Sequence, residues 1–206
     1  MIIARPCGTP WILENAESKL LLRVELPGAR VFDLAADALR QARHLGLGEE
    51  QRLTLALSAS WLVNSPAISR VLKRWALPGD RETWTTLLGL LHIRVGPLLD
   101  PHMVPLVAAL GSEPYLVEAV SKVAALLEPD AAPLMPAPAR VFVLGEDTNG
   151  AESFVKMVNW FQATRADHLD ELARIAAAHA PVKLCAAQVL DRMLWFDSEG
   201  HRHFNV

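Results

Sequence analysis

Between Asp80 and Leu127 the chain runs as three apolar helical segments separated by Gly96-Pro97 and Gly111-Ser112, and this punctuation limits what the whole can fold into. Trp84, Leu87, Leu88, Leu91 and Val95 form one stripe, with Asp80 placed to cap its start. Val104, Val107 and Leu110 form the next, ending where Gly111 supplies the left-handed residue a helix terminus favours. Pro105 leaves the start of that helix open, because an internal proline forfeits a backbone bond. Leu116, Val120, Val123 and Leu127 form the third stripe, which Ser112 is expected to cap. Short amphipathic helices joined by tight turns predict an orthogonal bundle or a short solenoid-like stack.

The flanking regions extend this pattern in both directions. Leu20, Leu22, Val24 and Leu26 alternate with Leu21, Arg23 and Glu25, a period of two that predicts a strand, with Trp11–Leu13 as its partner. From Val31 the period turns helical: Phe32, Ala35, Leu39, Ala42 and Leu45 share a face opposite Asp33, Asp37, Arg40 and Arg43. Further helices are expected from Leu53 to Asn64 and from Ser65-Pro66 to Ala76. Residues 128–139 hold four prolines among alanine and acidic residues, and read as a linker or long loop. Beyond it, Val141–Leu144 reads as a buried strand. Asn149 and Glu152 have capping-box spacing for the next helix, and Thr164 with Asp167 repeats that spacing. Pro181 opens a last helix with Val182, Cys185, Val189 and Met193 inward, and the tail resembles a hairpin turning at Ser198–Gly200. The expected fold is thus mainly α: an irregular helical bundle with short strands at the N-terminus, after the Pro-rich stretch and at the C-terminus. Residues 1–127 form the core region, 128–139 the connection, and 140–206 a helical subdomain packed on the core.

The chemistry-bearing residues are few. Glu146 and Asp147 sit in a turn before a helix, but they would repel an anion, and the turn lacks a phosphate-binding glycine pattern. They read as an acidic loop, with a divalent-cation site as the alternative. His201 and His203 would share one face of a strand, with Asp197 or Glu199 available to complete a metal site. The competing reading is a solvated tail. No nucleophile elbow is present, and Cys7 and Cys185 match no zinc or redox spacing. No metal or other cofactor is expected, and the chain is read as non-enzymatic.

Binding to other proteins is the remaining class. Arg70, Lys73 and Arg74 form a basic cluster, either a solvated helix face or a patch for an acidic partner. Among six tryptophans, Trp160 stands beside Phe161 and Trp195 beside Phe196. Adjacent aromatics cannot both face inward from one side of a helix, so Trp160 and Trp195 are partner-binding candidates. A net charge of −3 disfavours nucleic acid. No apolar run reaches the roughly 20 residues that spanning needs, and no secretory leader is evident, so direct membrane insertion is not expected and a cytoplasmic location is.

The segment LLGLLHIRVGPLLDPHMVPLVAALGSEPYLVEAV, with Leu110-Gly111 ending one helix and Glu113–Tyr115 opening the next, resembles the SctK/YscK-type accessory proteins of bacterial type III secretion. The resemblance covers about a fifth of the chain. It implies a cytoplasmic adaptor of the sorting platform, linking the cytoplasmic domain of the inner-membrane ring to the pod protein beneath it, with no catalytic residues. A small helical immunity or regulatory protein that controls a single partner would share the same sequence features.

Overall fold

The alternation expected as a strand is helical over Leu20–Val24. In the computed structural model, which describes residues 1–24, 27–48, 51–52, 55, 78–93, 100–110, 116–146, 150–178 and 184–198, this segment falls in helix α1 (Ala16–Val24). Ala16 and Leu20, one helical turn apart, are buried, whereas Leu21 and Leu22 are exposed. Three consecutive leucines satisfy either period, and burial of the i, i+4 pair settles the choice for helix. Asn15, in the left-handed region at φ 54°, starts the helix by accepting a bond from the Lys19 N–H at 3.0 Å.

The strand partner of Trp11–Ile12 is instead the start of the chain. Strands β1 (Ile2–Ile3) and β2 (Trp11–Ile12) pair antiparallel, Ile2 opposite Ile12 and Ile3 opposite Trp11. The remaining described elements are helical: α2 (Pro27–His44), α3 (Pro78–Ile93), α4 (Asp100–Leu110), α5 (Leu116–Leu127), α6 (Ala137–Leu144), α7 (Ala151–Asp167), α8 (Leu169–Ala178) and α9 (Ala186–Ser198). The fold is mainly α with one two-stranded sheet. The helices expected at 53–76 lie almost wholly outside the described residues, as do Pro181 and the tail from Glu199 onward.

The stripes between residues 32 and 127 pack as expected. Phe32 and Leu39 on α2, Trp84, Leu87, Leu88 and Leu91 on α3, Val107 and Leu110 on α4, and Val120, Val123 and Leu127 on α5 are all buried in one core, and Ala42 is buried at its margin. Leu45 falls past the end of α2 and is exposed. Pro105 lies inside α4, which nevertheless runs from Asp100.

Three further expectations are corrected. Val141–Leu144 is the end of α6, not a strand. Pro136-Ala137-Pro138 opens the helix with prolines where their missing N–H costs least, and Gly145 closes it at φ 83°, donating to the Val141 carbonyl at 2.9 Å. Helix α7 has Gly150 at its N-cap and no side-chain cap; Thr164 is buried within it, near its end, and caps nothing that follows. The last described helix begins at Ala186. Cys185 takes the cap position, and Gln188 Oε1 reaches back to the Cys185 N–H at 3.0 Å, half of a capping box.

Of the two forms expected for residues 128–139, linker or long loop, the structure has the loop, and it runs into the next helix. Ala131, Ala132, Leu134 and Met135 are buried in the core that also holds α5, α7 and α9, so this stretch is an inside loop and the start of α6, not an exposed linker. Burying irregular backbone requires a partner for every N–H. Pro133 has none to satisfy. Ala131 and Ala132 donate to the Glu128 carbonyl at 2.9 and 3.0 Å, Met135 to Ser121 Oγ at 3.1 Å, and Leu134 to Asp191 Oδ1 at 2.7 Å. On the acceptor side, Arg140 Nη1 donates to the Met135 carbonyl at 2.6 Å and Gln162 Nε2 to that of Ala131 at 3.2 Å. Helix α9, which contacts α1, α6, α7 and α8, supplies the acid: Ala187 to Leu194 are all buried on it, including Asp191 and Arg192, which bond to each other at 2.6 Å.

Replacing Asp191 by Ala removes the acceptor of a buried N–H and the partner of a buried guanidinium. Chemical denaturation is expected to show a loss of about 3 kcal/mol for Asp191→Ala. Asp191→Asn, which keeps an acceptor oxygen, is expected to lose less; equal losses would contradict the bonding role assigned to the carboxylate.

Candidate functional site

The β1–β2 hairpin is a surface element held from beneath by several side chains. Period-two alternation sends Ile3, Trp11 and Leu13 inward, all buried, and Ile2, Ala4, Ile12 and Glu14 outward, all exposed. Beneath it, the Trp11 ring meets Phe142 edge-on at 5.6 Å and Trp160 at 6.4 Å between centroids. The Trp11 Nε1–H donates to Asp197 Oδ2 at 2.8 Å, and Lys19 Nζ holds the other oxygen of that carboxylate at 2.5 Å. Arg5 clamps the turn: its guanidinium donates to the carbonyls of Thr9, Pro10 and Phe142 and lies 4.2 Å over the Phe142 ring. The Cys7 N–H donates to the Val143 carbonyl at 3.2 Å, which seats the turn on the end of α6.

This arrangement revises the role expected of Trp160. Its ring is 8 % exposed, and its Nε1–H donates to the Ala4 carbonyl at 2.8 Å, so it supports the hairpin from inside and offers no ring face to a partner. Phe161 beside it is buried as well, because α7 contacts α4, α5, α6, α8 and α9 and is covered on several sides. Trp195 is half-buried on α9 and its carbonyl accepts the Ser198 hydroxyl at 3.2 Å. Glu146 is exposed beside the hairpin turn. Arg70, Lys73, Arg74, Asp147, His201 and His203 lie outside the described residues. No group of three His, Cys, Asp or Glu side chains that could hold a metal occurs among the described residues.

A shallow cleft of about 290 Å³ opens between the start of α1 and α8, lined by Leu13, Asn15, Glu17, Glu171, Arg174 and Ile175 among others. Arg174 binds both oxygens of Glu171, at 2.9 and 3.2 Å, and reaches Glu17 at 3.8 Å. The hydrogen bond from Arg174 holds the Glu171 carboxyl below its ordinary range. Solvent screens these exposed charges, so the cleft is polar but not strongly charged.

The two cysteines are free thiols. Cys185 Sγ lies 3.2 Å from Asp130 Oδ1, and Arg165 lies 3.9 Å from the same oxygen. Burial, and then the charge of Asp130, push the Cys185 thiol up to about 11, against the helix N-terminus that usually favours a thiolate.

Comparison with known proteins finds no matching family model, no matching curated protein and no matching solved structure. Among the described residues no helix is long and apolar enough to cross a membrane.

The hairpin was only half visible in the sequence. Trp11–Leu13 carries the alternation, but Met1-Ile2-Ile3 is uniformly apolar and shows none, so the signal lay in the Gly8-Thr9-Pro10 turn between them.

The shift at Cys185 gives two measurable consequences. The thiol is protonated in the folded chain through pH 9 and is expected to resist iodoacetamide at pH 8, with Asp130→Asn reacting faster. Because its folded pKa lies above its unfolded one, the stabilisation is complete below about pH 9 and is lost as pH rises through about 11. Peptide mapping after alkylation checks the first, and denaturant titrations across that interval check the second. Fast labelling of Cys185 at pH 8 would contradict the burial.

Proposed function

We propose that this chain is a non-enzymatic helical adaptor that binds other proteins, and that it serves in the cytoplasmic sorting platform of a bacterial type III secretion system, between the inner-membrane ring and the pod protein. The observation that carries the binding role is the outward face of the hairpin, where Ile2 and Ile12 stand side by side, 66 % and 56 % exposed, on a rigid mount. Large β-branched side chains on the solvent side of a strand contribute nothing to a monomer's core, and rigid apolar patches rimmed by polar groups are what protein contacts use.

The platform assignment draws on a separate feature, the resemblance of Leu87–Val120 to the SctK/YscK-type accessory proteins. That stretch supplies α4 and parts of α3 and α5, whose inward faces build the core. A scaffold of this kind needs rigidity and two contact surfaces. The hairpin is one, and the basic cluster Arg70, Lys73 and Arg74 is the second candidate.

Size-exclusion chromatography of the full chain with the ring's cytoplasmic domain and the pod protein tests the assignment. Co-elution of all three is expected at micromolar concentration. Binding to neither component would overturn the platform reading.

A further inference from the structure

We infer that the outward face of the hairpin is a docking surface for a partner protein that presents aliphatic side chains flanked by lysine or arginine. The inference rests on the reading of this chain as a protein-binding scaffold and adds where the partner docks and what chemistry it brings. Ile2 lies opposite Ile12, and the same register puts Ala4 opposite Pro10, so two adjacent cross-strand pairs present four exposed apolar residues. The reciprocal bonds between Met1 and Leu13, at 2.9 and 3.4 Å, make Ile2 and Ile12 a non-hydrogen-bonded pair, the kind whose side chains stand closest together.

Charge selects the partner. Glu14, two residues beyond Ile12 on the same face, is exposed at one end of the patch. Glu146 is exposed at the other, next to Gly145, where a Cβ would come within 2.9 Å of Cys7 Cβ at the hairpin turn. The cations of this end are engaged within the chain: Arg5 with three carbonyls and the Phe142 ring, Lys19 with Asp197, Arg174 with Glu171, and the Met1 ammonium with the Leu13 carbonyl at 3.4 Å. An apolar centre with a carboxylate rim complements an apolar centre with a basic rim, and like charge disfavours an acidic partner.

The test is a titration of the isotopically labelled full chain with a capped peptide of alternating lysine and leucine, followed by amide chemical shifts. Saturable shifts centred on Ile2, Ile12 and Glu14 are expected, weakening at about 0.5 M salt. The matching peptide of alternating glutamate and leucine is expected to give none. Ile12→Asp is expected to weaken binding by about tenfold or more. Ile12→Thr, which keeps a β-branched strand residue, secures the result if the Asp variant melts early. Shifts centred elsewhere, or unchanged affinity in both variants, overturn the surface. If the lysine peptide binds here but ring and pod components do not bind, the platform reading falls and the surface stands. If those components bind Ile12→Asp undiminished, the surface falls and the platform reading stands.

Discussion

Burying Ala131–Met135 inside the helical core is the constraint on which the rest of this structure depends. A loop can be buried only if its backbone polar groups are bonded, and helices normally escape the problem by bonding internally. Here proline removes one N–H outright, two alanines turn back on the Glu128 carbonyl, and Ser121 and Asp191 accept the remaining two. The proline content that suggests an exposed spacer is what lowers the number of donors needing partners. A less proline-rich segment would leave more N–H groups to satisfy, at about 1–3 kcal/mol for each one left unbonded.

That requirement explains the unusual makeup of α9. A helix covered on all sides is ordinarily apolar all round, yet Gln188, Asp191 and Arg192 are buried within it. Asp191 bonds the loop, and Arg192 neutralises Asp191 while its guanidinium lies 5.6 Å over the Phe32 ring of α2. Gln188 closes the start of the helix. Further along the same helix, Asp197 bonds Trp11 and Lys19. One helix therefore fixes the buried loop with its middle and the surface hairpin with its end. The packing that stabilises the fold and the packing that positions the candidate site are parts of one connected set.

How much was legible from sequence follows from which effects are local. The stripes of α2 to α4 could be read because apolar residues at helical spacing meet a core on one side only. The reading failed where local pattern and tertiary setting disagree. Val141–Leu144 has strand-like composition, but prolines at its start and Gly145 at its end fix helix termini, and termini outweigh β-propensity in so short a segment. Leu20–Leu26 is consistent with both periods. The expectation that Trp160 binds a partner rests on neighbouring aromatics not sharing a face, which assumes a helix covered on one side. Helix α7 has neighbours on several sides, so Trp160 and Phe161 are both buried. The apolar outer face of the hairpin could not be read at all, because exposure of Ile2 and Ile12 depends on which strand pairs with which.

The mount under that face matters as much as its composition. Two strands of two residues each would not hold together in water on their own. They are held by groups on α1, α6, α7 and α9: Lys19 through Asp197, the Phe142 and Val143 backbone carbonyls, Trp160 and Asp197 itself. Association costs the ordering of whatever is loose at the contact, about 0.5–1.5 kcal/mol for each flexible side chain fixed. Ile2 and Ile12 are branched at Cβ and sit on backbone already fixed from below, so little of that cost remains to be met when a partner arrives. An apolar pair on a frayed terminus would lose much of its contact energy to ordering. On this hairpin the proposed partner would meet little of that cost, because the loop inside the protein and the face outside it are braced by the same helix.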